Sequence, residues 1–222
     1  MRVVVSIGGS VLAPDLDESV VREHAAAIDE LLEAGVSMGL VVGGGGVARE
    51  YIRAARALGE NEIALDDIGI AVTRLNARLL IAALGEAAAP APVETYEAGL
   101  EAMRRGDVPV LGGVTPGQTT DAVAAALAEY AEADLLVFAT SVPGVFTADP
   151  NEDDDAEHIA SMSAGDLVDV IVDTELVAGS SAPVDLLAAK LIERSGMRTI
   201  VLDGTDPDRI VDAVLRGDHE GT

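Results

Sequence analysis

Three glycine-bearing turns, IGGS at 7–10, VVGGGGVAR at 41–49 and VLGGVTPGQTT at 110–120, each close an apolar, strand-like run. Glycine at such a position lets backbone N–H groups approach a phosphate closely, and a helix that follows adds the positive end of its dipole. One turn of this kind is ordinary turn chemistry, whereas three in one sheet point to a site for several phosphates. Arg49, one turn into its helix, adds a planar cationic fork suited to phosphoryl oxygens. A fourth stretch, DLLVFATSVPGVFTADP at 134–150, breaks an apolar run with a Pro143-Gly144 turn. It sets Thr140, Phe146 and Asp149 just beyond a strand's carboxyl end, where open α/β sheets bind ligands.

Other chemistries lack support. The pattern GxxxxGK[ST] is absent, the single lysine is Lys190, and no clean GxGxxG occurs, so standard Walker and dinucleotide folds are not expected. No local Ser/His/Asp arrangement suggests a nucleophile with its base. The chain has no cysteine, and His24, His158 and His219 are too far apart to form a ligand motif, so no protein-held metal is expected.

These residues need a scaffold, and the periodicity supplies one. Strands are expected at Val3 to Ile7, Met38 to Val42, Val108 to Leu111, Leu135 to Ala139 and Thr199 to Leu202. Helices are expected near Glu18 to Glu33, Val47 to Leu58, Ile68 to Leu84, Asp121 to Tyr130 and Val184 to Ser195. A last helix lies within TDPDRIVDAVLRG, with Gly217 as its stop. The alternation is that of an α/β fold in which two halves share one sheet. With 222 residues at 49% hydrophobic content and no composition break, one domain spanning 1–222 is expected.

Charge restricts the partners. Thirty-nine acids against 14 bases give −25, which argues against nucleic-acid binding because phosphate neutralisation needs clustered Lys and Arg. The acids are dispersed apart from NEDDDAE at 151–157 and read as a solvated surface adapted to high salt. The opening MRVVVSIGGS enters a glycine turn unlike a signal peptide, and no apolar run approaches the ~20 residues that span a membrane. A soluble, cytoplasmic protein without membrane contact is expected.

Seven segments, IGGSVL, VVGGGGVAR, DDIGIAVTRLNA, GGVTPGQTTDAVAA, TSVPGVFTADP, AGSSAPVDLLAAK and GDHEGT, are spread along the whole chain. In order and spacing they resemble the amino acid kinase family, most closely its archaeal uridylate (UMP) kinase branch. The resemblance implies a three-layer αβα sandwich around a mainly parallel sheet. It puts the UMP-binding half at about 1–122 and the ATP-binding half at about 123–222. It implies transfer of the γ-phosphoryl of Mg-ATP to UMP, with Mg²⁺ carried by ATP, in a homohexamer. By the same resemblance Gly9, Ser10, Gly45, Arg49, Thr140, Phe146 and Asp149 would bind ATP. Gly44, Asp66 and the run Val114, Thr115, Pro116, Gly117, Gln118, Thr119 and Thr120 would bind UMP. Arg49, Asp121 and Lys190 are the catalytic candidates, with Asp121 orienting the cationic groups.

Two departures stand out. Many relatives carry lysine where this chain has Ser6, so the cationic role passes to Arg49, Lys190, Mg²⁺ or backbone donors. Pro143 stands where relatives usually have Asp, which stiffens the turn and removes a backbone donor. Two rivals remain open: a kinase of the same family acting on an acyl or isoprenoid phosphate or an amino-acid carboxylate, and a noncatalytic nucleotide binder.

Overall fold

The computed structural model describes residues 1–148, 153, 155–175 and 184–222. The chain opens with β1 (Arg2–Ile7), a single-turn α1 (Gly9–Leu12) and α2 (Glu18–Glu33), which has Asp17 as N-cap. Then come β2 (Ser37–Val42), α3 (Gly45–Ala57), α4 (Glu62–Leu84), α5 (Tyr96–Arg105) and β3 (Val110–Leu111). The second half contains α6 (Thr120–Tyr130), β4 (Leu135–Thr140), a small hairpin of β5 (Val145–Phe146) and β6 (His158–Ile159), α7 (Ala164–Glu175), α8 (Leu186–Ser195), β7 (Thr199–Asp203) and α9 (Asp208–Leu215).

Five strands form one parallel sheet in the order β3-β2-β1-β4-β7. Strand order reverses beside β1: the chain runs outward through β2 and β3, then returns to the other side of β1 with β4. Apolar residues alternate between the two faces because side chains in a strand do. Val3, Val5 and Ile7 pack with Ile28 and Leu31 of α2, Leu80 of α4 and Val214 of α9. Val4 packs on the other face with Val123 and Leu127 of α6, Ile171 of α7 and Ile192 of α8. The result is the expected three-layer αβα sandwich.

Local chemistry explains where elements differ from the periodicity. α4 starts at Glu62, ahead of the expected Ile68, because the Asn61 side chain accepts the N–H of Ala64 and caps an earlier turn. β3 keeps only Val110 and Leu111, since Pro109 has no N–H to give a ladder and Val108 makes one isolated bridge to Ala88. α5 is polar on most of its surface and escaped notice; the Thr95 cap and Gly106, at φ +92°, define its ends. The tail GDHEGT is not loose: Thr222 and Val201 exchange both backbone hydrogen bonds, at 2.9 and 3.0 Å.

One helix is longer and more apolar overall than the uninterrupted runs suggested. The helical run Glu62–Ala87, 26 residues, is long and apolar enough by length and composition to cross a membrane. Counting uninterrupted apolar residues missed it, because Arg74 and Arg78 punctuate the run without ending it. In this fold the helix lies against α2, α3, β2 and β3, burying Leu65, Val72, Ala77 and Leu80. Leu75 and Leu79, four apart on its outer side, stay 60% and 42% exposed.

Candidate functional site

Helix caps separate the site from the scaffold. The first N–H groups of a helix have no partner within it. In α2, α4, α5, α6 and α8 a side chain takes them up, from Asp17, Asn61, Thr95, Thr119 and Asp185 respectively. α1 and α3 follow the first two glycine turns and have no side-chain cap. Their amino ends leave N–H groups for an anion. Both lie at carboxyl ends of β1 and β2, next to the reversal of strand order, where doubly wound sheets bind ligands.

The two turns touch backbone to backbone. A Cβ on Gly9 would lie 2.3 Å from the Gly45 nitrogen and 2.5 Å from the Gly43 oxygen, and Gly45 adopts φ +62°. Only glycine fits such an approach. Ser10, Gly46 and Arg49 line a cavity of about 290 Å³ with Asp15 and Glu50. Arg49 is exposed and makes no ion pair among the described residues. Asp15 and Leu16 at the rim hold left-handed backbone, φ +51° and +58°, a conformation that non-glycine residues keep only where surrounding structure imposes it.

α4 organises the side that the resemblance gives to UMP, and of its residues only Asp66 was expected there. The Asp66 carboxylate accepts the N–H of Gly117 at 2.8 Å. Thr73 Oγ1 accepts the N–H of Gly113 at 2.7 Å, and Arg74 Nε donates to the Gly113 carbonyl. Asn76 Nδ2 donates to the carbonyls of Gly43 at 2.8 Å and Gly44 at 3.3 Å. Thr73 and Asn76 are buried, and they were legible as the polar residues interrupting the apolar side of this helix. One helix therefore sets the second and third glycine turns together. In the loop from Val114 to Thr120, Gln118 accepts the Tyr96 hydroxyl, while Val114 and Pro116 are half-buried and Thr115 is exposed. Thr119, not Thr120, caps α6, since its hydroxyl accepts the N–H of Ala122 and Thr120 is already helical.

At the base of the site, Asp121 accepts a hydrogen bond from Ser6 Oγ at 3.1 Å. Asp121 retains some solvent access, yet its carboxyl group is crowded. Burial and then the neighbouring Asp185 charge push its pKa up to about 7, against the opposing Ser6 bond. Asp185 escaped sequence reading, because a cap before a helix carries no sign of what else it holds.

On the β4 side, the Thr140 hydroxyl bonds Val142, and the Thr140 carbonyl accepts the N–H of Gly204 at 2.8 Å. His24 of α2 bonds the Gly204 carbonyl in turn, at 3.1 Å, tying the β7 loop to the β4 end. Phe146 lies 5.2 Å from the His158 ring. Asp149, and AGSSAP of the AGSSAPVDLLAAK segment, lie outside the described residues. Lys190 is 53% exposed on α8 and pairs with Glu193 at 2.9 Å.

A parallel α/β sheet with interlocked glycine turns, bare helix amino ends and, among the described residues, an unpaired arginine at its reversal point defines a phosphate-handling protein. Residues 1–203 match the model of the amino acid kinase family, and the chain belongs to that family. A uridylate kinase of Halobacterium salinarum is 74% identical over 222 residues, spanning 100% of this chain and 92% of the relative. One of Haloarcula marismortui is 66% identical over all of this chain and 97% of the relative. The crystal structure of uridylate kinase from Archaeoglobus fulgidus superposes with a TM-score of 0.88 at 44% identity, covering 100% of this chain and 99% of that one.

Proposed function

We propose that this chain is a UMP kinase, moving the γ-phosphoryl of Mg-ATP to the 5′-phosphate of UMP to give UDP and ADP in pyrimidine nucleotide biosynthesis. The carrying observation is the interlocked pair of glycine turns, whose uncapped helices begin side by side at the carboxyl ends of β1 and β2. Full-length identity to uridylate kinases supports the choice of acceptor. In this reading Gly9 and Ser10 line the ATP phosphates, and Gly45 and Arg49 meet the transferring group. Thr140, Phe146 and Asp149 hold the adenosine. Gly44, Asp66 and the loop from Val114 to Thr120 hold UMP, with Thr73 and Asn76 keeping that loop and Gly44 in register.

The acceptor phosphate oxygen is already ionised near neutral pH, so no general base is required. Catalysis reduces to in-line positioning and neutralisation of spread charge. Backbone N–H groups and the Arg49 fork do this with fixed donors. Because donors of this kind recognise phosphoryl oxygens, Mg²⁺ would enter as a passenger on ATP and would supply further charge neutralisation. Arg49 takes the cationic role left by Ser6, since it lines the cavity beside Ser10 and Gly46 and has no ion pair among the described residues. The protein acts in the cytoplasm as a homohexamer, and the exposed Leu75 and Leu79 offer one apolar face for self-association.

The test is coupled ADP release in high salt with UMP, an acyl phosphate, an isoprenoid phosphate and an amino acid as acceptors. Release that depends on UMP is expected. Release with another acceptor only would move the chain to a different kinase reaction, and none at all would leave a nucleotide binder.

A further inference from the structure

α6 and α8 pack side by side, and their amino ends are bonded to each other. Thr119, the cap of α6, donates its hydroxyl proton to Asp185 Oδ2 while its oxygen accepts the N–H of Ala122 at 3.2 Å. Asp185, the cap of α8, spends Oδ1 on the N–H groups of Leu187 at 2.8 Å and Ala188 at 3.1 Å. A cap needs one oxygen only. The second oxygen of Asp185 therefore performs a different task, across 66 positions of chain. It holds the last turn of the acceptor loop against the half that carries β4 and β7. Two residues beyond Thr119 stands Asp121, bonded to Ser6 of β1 and facing the Asp185 charge.

We propose that Asp185 is a positioning residue for phosphoryl transfer, seating the acceptor loop through Thr119 and controlling Asp121 beside Ser6 through its charge. The inference rests on the UMP kinase reading for its kinetic consequence. Asp185 is the ionisable neighbour that bears on Asp121. Elsewhere on α8, Lys190 pairs with Glu193, and Arg194 pairs with Glu129 far along α6. Glu97 of α5 meets Tyr130 at the opposite end of α6, and Arg2 of β1 bonds Asp134 and Ala131 there. β2 and β4 carry no charged residue.

Asp185→Asn keeps a capping oxygen and removes the charge. The variant is expected to raise KM for UMP about tenfold, leave KM for ATP near its original value, and shift Asp121 titration down by about half a pH unit or more. The titration is read by ¹³C NMR of carboxyl-labelled aspartates, with Asp121→Asn assigning the signal. Thr119→Val should raise KM for UMP by a similar factor, and the double variant should be no worse than either single one. If Asp185→Asn fails to fold, Asp185→Ser replaces it, since its one oxygen serves the cap alone. An unchanged KM for UMP, an unmoved Asp121 signal, or effects that multiply in the double variant would overturn the proposal. Should the parent protein release no ADP with UMP, the kinase reading falls while the Asp121 titration still decides the electrostatic part.

Discussion

Asp121 is held in a state that costs stability, and Asp121→Asn exposes the cost. Its folded pKa of about 7 lies above the ordinary 3.8, so from about pH 4 to pH 7 the folded chain binds more protons here than the unfolded one. The sign follows: folding stability falls as pH rises through this window, because ionisation in the native state is resisted. Each pKa unit is worth about 1.4 kcal/mol, so the full penalty above neutrality approaches ~4 kcal/mol as an upper bound. Between about pH 5 and about pH 8 the same arithmetic gives a change of roughly 2 to 3 kcal/mol. Asparagine keeps the shape and an acceptor for Ser6 but cannot ionise. Urea unfolding of both proteins in concentrated KCl should show the variant gaining on its parent by that amount as pH rises, because the acids other than the coupled Asp185 cancel in the difference. A stability difference flat with pH within about 0.5 kcal/mol would refute the argument. If Asp121 also orients the transferring groups, turnover falls in the same variant whose stability rises.

Arg49→Ala should leave the fold intact and cut kcat roughly 10²- to 10³-fold, since charge neutralisation of the moving group is its proposed task; an unchanged rate in the coupled assay removes it from the site. Gly9→Ala drives a Cβ into the backbone of Gly43 and Gly45 and should cost about 3 kcal/mol or more. Gly46→Ala, whose Cβ would meet nothing nearer than Arg49 at 4.0 Å, should fold normally and serves as the matched control in denaturant midpoints. At a net charge of −25 the protein should lose helix signal in circular dichroism on dialysis to dilute buffer, where repulsion is no longer screened, and full retention there would refute salt dependence. Leu75→Glu with Leu79→Glu should reduce the mass seen by light scattering, and an unchanged mass would place the self-association surface elsewhere.

Much of the scaffold was legible because burial on both faces writes itself into sequence. Leu135 to Ala139 and Val3 to Ile7 are apolar without interruption, as strands covered on both sides must be, and Glu18 to Glu33 matched α2 residue for residue. α5 and α7 were not foreseen, α5 because its buried set is small: Gly99, Ala102 and Met103. The membrane-length character of α4 was missed for the opposite reason, charged residues punctuating an apolar helix.

Sequence alone determined the inventory: glycines where backbones must approach, one arginine a turn after them, and polar caps where helices begin. These are local requirements, settled by φ angles, N–H groups and residue size within a few positions. Only the tertiary structure decided which of them meet. It engaged Lys190 with Glu193, joined Thr119 to Asp185 across the two halves, and gave Thr73 and Asn76 of one helix the register of two distant turns. Such pairings depend on how layers pack on a shared sheet, and the raised pKa of Asp121 exists only once that packing removes water and brings a second carboxylate near.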